Sequence, residues 1–409
     1  MSSRDILKAK MSSRDLPEDV IMEILSRLPV KWLLRFKCVC KSWYALITNP
    51  DFINKHLTWA TSHNPRRGVF LTCEHEITRT PWVSLRAYET LEVSRYVDIS
   101  QFFPHDVDDL AVYGPCNGIL CLLGGFEDRD DDDDRDRSNG LVLWNPATRE
   151  SKALPVIHRL PDVPTTFSFN FGFGFDPKAN DYKVVRILNF RSLKCEVEVY
   201  SLSTDSWRVI NPSLNPAYRV SSPRFPSYSN GVHHWWACER RNRDHRLLLS
   251  FDMSNEVFQE TPLPPLSERP FLFEAIAIVN DSVALVSVYQ GGESKCYDIW
   301  VMNECGVKGS WTKLFTIGPR PRLSNLLELR EGGLVLLRNE NGWLVVFDPR
   351  TREQRDLGIY GNSFQVVSFT ETLVLLNRSR ECASATRSAT RSATRPATRS
   401  STRQVMKWL

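Results

Sequence analysis

The chain has 409 residues, 52 Lys and Arg against 48 Asp and Glu, and 42% hydrophobic residues, a balance that fits two or three folded domains and excludes a fibrous or wholly disordered chain. No apolar run approaches the roughly 18 residues of a bilayer-spanning helix, and the first twenty residues lack the apolar stretch of a secretory signal, so the expected site of action is the cytoplasm, with the nucleus also open. The net charge of +4 is unevenly held: residues 378–409 carry seven Arg, Lys407 and a single Glu381, leaving 44 basic and 47 acidic groups in residues 1–377, which is not the balance of a nucleic-acid binder.

Residues 1–11 form a polar leader whose MSSRD recurs at 11–15. Residues 12–58 read as helices. In LPEDVIMEILSRLP, Asp15 is the candidate N-cap, Pro17 suits the first helical position, and Glu18 and Asp19 place negative charge in the first turn, where the helix dipole favours it. Val20, Ile21, Ile24, Leu25 and Leu28 follow at helical spacing and Pro29 ends the run. A second short helix is expected over Val30–Val39, with Leu33, Leu34 and Phe36, and a third over Cys40–Ile47, with Trp43, Leu46 and Ile47, before an Asn49-Pro50 breaker. Three helices this short cannot enclose so many apolar side chains. The surplus must be covered by the following domain or by another protein, and periodicity alone leaves both open.

The ungapped run LPEDVIMEILSRLPVKWLLRFKCVCKSWYALITNPDFINKHL resembles an F-box, from its opening Leu-Pro through Leu-Pro-Val-Lys to Cys-Lys-Ser-Trp. The resemblance implies docking on the Skp-type adaptor of a cullin–RING ubiquitin ligase. It implies adaptor-facing roles for Leu16, Pro17, Ile24, Leu25, Leu28, Pro29, Val30, Leu33, Leu34, Arg35, Cys40, Trp43 and Ile47. Part of this set must instead form the internal helical core, and Trp43 and Leu46 are the candidates for that. Trp32 departs from the family pattern, which often has a small polar residue there, and its ring is expected at the rim of the contact.

Residues 59–377 alternate short apolar strands with turn residues. A loose repeat runs through LVLWNPATRESKALP, VEVYSLSTDSWRVI, LLSFDMSNEVFQETPLP, DIWVMNECGVKGSWTKLF and LVVFDPRTREQRDLG, with large apolar anchors at Trp144, Tyr200, Phe251, Met302 and Phe347. Asn or Asp usually follows the anchor, which predicts a type I β-turn. A period near 50 built of strand pairs predicts a kelch-like β-propeller of about six blades, with a β-sandwich as the alternative. The overall expectation is therefore an α+β multidomain chain: a three-helix F-box, then an all-β propeller. The strand region is also similar to the F-box-associated domain of plant F-box proteins, carried by YGPCNGILCL, FGFGFDPKANDYKVVRI, GVHHWWA, LLSFD and the repeats above. Its flavour is that of the S-locus F-box and S-locus-F-box-like group, which implies an S-RNase as target.

Catalytic signals are few. The ten Cys form no CxxC pair, and neighbouring His233 and His234 point to opposite faces of a strand, so core packing is expected rather than a metal site. FGFGFD lacks the third glycine of a nucleotide fingerprint; Gly172 and Gly174 are expected to let aromatic rings approach the backbone. The run EDRDDDDDRDR at 127–137 reads as a self-repelling solvated loop able to steer a basic partner, and the SATR-rich stretch 378–409 as a disordered basic tail. No catalytic residue, cofactor or metal is assigned. The expected function is a non-catalytic substrate receptor, with an F-box scaffold lacking a degradative role or a propeller-fold metal oxidase as alternatives. Stretches 74–110, 124–140 and 211–230 are nominated for target contact.

Overall fold

The computed structural model describes residues 16–376, apart from 64–66, 75–79, 104–106, 108, 127–137, 156–165, 191–193, 212–213, 222–224, 243–244, 265–270, 280, 292–293, 305–306, 308, 319–322 and 362. The leader with Asp15, the acidic run 127–137 and the SATR-rich stretch lie outside the described residues.

Four helices come first among the described residues: α1 (Glu18–Ser26), α2 (Val30–Phe36), α3 (Lys41–Thr48) and α4 (Pro50–His63). Pro17 and Pro29 stand just before α1 and α2 in extended conformation, each with a carbonyl that accepts the first helical amides, from Val20 and Ile21 and from Trp32 and Leu33. Because a residue preceding proline disfavours helical geometry, Leu28-Pro29 separates α1 from α2. The fourth helix differs from expectation. Asn49-Pro50 starts a helix rather than stopping one: the Asn49 side chain accepts the Asp51 amide at 2.7 Å, and proline's missing N–H costs nothing in a first turn. Helix α4 buries Phe52, Ile53, His56 and Ala60 and runs past position 58, where the strand region was expected to begin.

The strands form six antiparallel sheets. The first comprises β1 (Arg67–Glu74), β2 (Pro81–Ala87) and β3 (Val93–Val97), and the second β4 (Asp109–Cys116), β5 (Ile119–Phe126), β6 (Ser138–Trp144) and β7 (Ser151–Ala153). The third holds β8 (Thr166–Asp176), β9 (Asp181–Phe190), β10 (Cys195–Ser201) and β11 (Ser206–Ile210). In the fourth, β12 (Tyr218–Ser221) and β13 (Tyr228–Ser229) share the innermost position beside β14 (Val232–Glu239), β15 (Arg246–Asp252) and β16 (Val257–Pro262). The fifth holds β17 (Phe271–Val279), β18 (Ser282–Gly291), β19 (Ser294–Met302) and β20 (Trp311–Ile317). The sixth is β21 (Leu323–Leu329), β22 (Val335–Asn339), β23 (Trp343–Phe347) and β24 (Gln354–Tyr360). The last strand, β25 (Phe364–Thr370), returns to pair with β1 and becomes the innermost strand of the first sheet.

Successive sheets touch in sequence around a circle, β25 against β4, β4 against β8, β8 against β14, β14 against β17, β17 against β21, and β21 back to β25. This closed ring is a six-bladed propeller and excludes the β-sandwich. Pairing β25 with β1 completes the first blade from both ends of the strand region and closes the ring, which leaves only short, protected strand edges.

The five anchors all stand at the last or next-to-last position of the third strand of a blade, and all are buried. After three of them the turn is longer than a simple β-turn. Asn145, Asp252 and Asp348 each accept a backbone amide two residues on, and their carbonyls accept the amides of Arg149, Glu256 and Arg352, which sit at φ 67°, 56° and 61°. The Asx side chain fixes the start of each turn, and a non-glycine residue takes the left-handed position at its end.

Because every blade alternates strand direction, two faces follow. Turns between first and second and between third and fourth strands lie on one face, here called lower. Turns between second and third strands and the links between blades lie on the upper face. The helices occupy the lower face. Leu25, Val30, Leu33, Ile47, Phe52 and Ile53 belong to one apolar cluster with Tyr113, Cys116 and Ile119 of the β4–β5 turn and with Leu373, Val374 and Leu376.

Candidate functional site

The helical module has a covered side and a free side. Of the adaptor-facing residues expected from the sequence, Leu25, Val30, Leu33 and Ile47 are buried, at most 3% exposed, and hold the helices together and to the propeller rather than offering surface. Leu28, Pro29, Leu34 and Trp43 are half-buried, Trp43 packing edge-on against Phe36 at 5.2 Å, and Leu46 is buried as expected of a core residue. Leu16, Pro17, Ile24, Arg35 and Cys40 are exposed. The Cys40 thiol is held below its ordinary range, chiefly by the contact of its sulfur with Ser42 Oγ at 3.1 Å.

Several exposed apolar residues lie outside the expected set. Val20 (41% exposed) and Ile24 (49%) lie one turn apart on the outward side of α1, and Leu16 (55%), in the extended lead-in before it, adds to this exposed stripe. Their spacing was visible in the sequence. Trp32 (46%), Val39 (62%) and Tyr44 (56%) add a second exposed group on α2, the turn after it and α3. Six large apolar side chains left in water on a module of this size mark a contact surface rather than scatter. The stripe is held in place from behind: Glu23 bridges Arg27 at 2.6 Å and Lys55 of α4 at 2.7 Å, and the Lys55 and Arg27 bonds lower its carboxyl.

Residues 14–55 match the F-box domain family model, and residues 88–376 match the F-box associated beta propeller domain model. The chain belongs to this F-box family. It is similar to three proteins of Arabidopsis thaliana: F-box/kelch-repeat protein At3g23880, 30% identical over 81% of this chain and 87% of that one; F-box protein At3g07870, 29% over 88% and 91%; and F-box/kelch-repeat protein At3g44120, 28% over 82% and 86%. The likeness is to F-box propeller proteins in general and does not single out the S-locus group.

Behind the F-box, the propeller's polar residues have structural employment. His233 and His234 on β14 are 1% and 3% exposed and face opposite sides of the strand. His233 packs on Trp235 at 4.4 Å and pairs with Ser227 Oγ at 3.2 Å, whereas His234 Nδ1 pairs with Ser250 Oγ at 2.8 Å. Burial pushes their imidazoles down to about 3 and about 4, so both are neutral near pH 7. Among the described residues no three His, Cys, Asp or Glu side chains gather in a metal-binding arrangement. Gly172 and Gly174 serve close packing as expected: a Cβ on Gly172 would come within 2.4 Å of the Trp235 ring, and one on Gly174 within 2.5 Å of Tyr228. The buried charge is also paired. Lys183 Nζ bonds Asp176 Oδ2 at 2.7 Å, the Met253 carbonyl at 2.7 Å and Glu256 Oε1 at 2.8 Å, which joins the third blade to the fourth.

The topology assigns a face to the strand ends that flank part of each stretch nominated for target contact. Stretch 74–110 contains the β1–β2 connection, 124–140 the β5–β6 connection, and 211–230 the link from β11 to β12. The described strand ends that flank these connections, those of β1 and β2, of β5 and β6, and of β11 and β12, lie at the upper face, opposite the F-box.

Proposed function

We propose that the chain is the substrate-receptor subunit of an SCF-type cullin–RING ubiquitin ligase, with its F-box on a Skp-type adaptor and its propeller holding a target protein by the upper face. One observation carries this reading. The F-box is sealed against the propeller on one side and still exposes Leu16, Val20 and Ile24 on the other. Mechanistically the chain supplies proximity: it raises the effective concentration of target lysines near a thioester carried by another subunit and contributes no acid, base or nucleophile of its own. The upper face suits the target because the F-box helices cover part of the lower one.

The test is co-purification of the full chain with a plant Skp-type adaptor. A Val20→Asp, Ile24→Asp variant should lose the adaptor while keeping the wild-type melting curve, because both side chains are already in water. Retained binding would refute the assignment of this stripe. Capture from the expressing tissue then reads the target class, with an S-RNase as the outcome that would revive the S-locus reading.

A further inference from the structure

Between Ile24 and Pro50 the chain contains no Asp or Glu, while Arg27, Lys31, Arg35, Lys37 and Lys41 supply five positive charges. Two of these are accounted for within the fold. Arg27 is bridged to Glu23, and Lys37 is half-buried, its ammonium lowered by burial with Glu150 acting in the opposite sense. Lys31, Arg35 and Lys41 are exposed, and no ion pair holds any of them among the described residues. They are interleaved with the exposed rings and aliphatic groups of Trp32, Val39 and Tyr44, and the Arg35 guanidinium lies over the Trp32 ring at 4.9 Å. Lys31 and Arg35 are one turn apart on α2, as are Lys41 and Tyr44 on α3, so charge and apolar surface share the same ground.

The α1 stripe has the opposite sign. Glu18, Asp19 and Glu23 flank Leu16, Val20 and Ile24, with Arg27 only at its far end. Like charges left close together on a helix destabilise it unless something neutralises them. Nothing within residues 24–50 can.

We propose that α2 and the start of α3 form a basic, aromatic half of the docking surface that fits an acidic face of the Skp-type adaptor, with Trp32 as the anchor buried on contact. The inference rests on the reading above and adds the chemistry of the partner surface and the orientation of docking. With acidic and basic halves side by side on the F-box, a reversed adaptor would bring like charges together. The ring of Trp32 supplies large apolar area at little entropic cost, and the Arg35 guanidinium above it is placed to meet a carboxylate at the rim.

The experiment measures association and dissociation of the full chain on an immobilised, purified plant Skp-type adaptor across about 50 to 300 mM salt, where the screening length shortens from above to below 10 Å. The Lys31→Glu, Arg35→Glu, Lys41→Glu variant should associate at least about tenfold more slowly at low salt and lose most of its salt dependence, with dissociation changed less than about threefold. Trp32→Ala should leave association nearly unchanged and speed dissociation about tenfold or more. Melting curves of both variants should match the wild type, since the side chains are exposed. An unchanged association rate and salt slope in the triple variant, in a chain that still binds and still loses binding through Val20→Asp, Ile24→Asp, would overturn this inference alone. Failure of the unaltered chain to bind the adaptor would overturn it together with the proposed function.

Discussion

Replacing Lys183 with Met tests how the third and fourth blades are joined. Lys183 is 6% exposed, and its ammonium is shared by Asp176, Glu256 and the Met253 carbonyl. Removing one member of a buried ionic group costs about 3–5 kcal/mol, because the remaining charge is left in a poorly solvating site. Here the lower end applies. Asp176 keeps Ser254 Oγ at 2.6 Å and the amides of Lys178 and Ala179, and Glu256 keeps Arg208. At roughly 2–4 °C per kcal/mol for a large domain, a loss near 3 kcal/mol lowers the melting temperature by about 6–12 °C.

The pH dependence is the sharper readout. Burial pushes the Asp176 and Glu256 carboxyls up, but the Lys183 bond with Ser254 for the first, and the Arg208 and Lys183 bonds for the second, bring both net below their ordinary values of 3.8 and 4.5. For Lys183, burial lowers and the two carboxylates raise, leaving it net above 10.5. The carboxylate contribution is therefore present above the unfolded values and lost as acid titrates the lowered folded ones. The lysine contribution is present below 10.5 and lost as base titrates the raised folded value. Urea unfolding of wild type and variant should differ by a constant amount from about pH 5 to 10 and converge on either side. A difference below about 1 kcal/mol at pH 7, or one that grows on acidification, would refute the network argument.

Two further outcomes follow from the core of the same blades. Gly172→Ala should destabilise by about 1–3 kcal/mol in urea unfolding, since the added methyl meets the Trp235 ring, which is fixed by its Nε1–H donating to the Phe171 carbonyl at 3.0 Å. Acidification should weaken the fold through His233 and His234: their folded values of about 3 and about 4 lie below the unfolded 6.5, so stability is full above pH 6.5 and falls by up to about 1.4 kcal/mol per pH unit for each ring as pH drops below it. A His234→Gln chain whose stability falls as steeply between pH 6.5 and 4.5 as the wild type would contradict this.

The blades after the first were legible because each repeats a local pattern, a buried anchor and then a polar turn. The first was harder. Its inner strand, β25, comes from the other end of the chain, and pairing across that separation leaves no local signature. The helices show a different limit. Ile24 and Leu25 are sequence neighbours of equal hydrophobicity, yet about 100° of helical rotation sends one to water and the other to the core at 3% exposure. An amphipathic stripe tells that a residue seeks cover. It does not tell whether the cover is the chain's own propeller or a separate subunit. Asn49-Pro50 is ambiguous for a related reason, since the same two residues that stop one helix begin the next.

Ring closure and the seating of the F-box share one piece of chain. After β25 closes the first blade, residues 371–376 pass beneath the helices, where Leu373, Val374 and Leu376 join the apolar cluster that holds Leu25, Val30 and Phe52. The segment is pinned to the second blade on three sides: Asn145 Nδ2 donates to the Thr372 and Val374 carbonyls at 3.1 and 2.9 Å, Thr372 Oγ1 donates to the Asn117 carbonyl at 2.7 Å, and the Leu376 amide donates to Glu150 at 3.0 Å. Gly118 adds the clearance, for a Cβ there would lie 2.4 Å from the Thr370 carbonyl. The F-box therefore rests on the strand exit that completes the propeller, and whatever loosens the ring at β25 also loosens the floor under the F-box. Under the proposed function that dependence matters, because the distance from adaptor to target follows the seating of the F-box on the lower face.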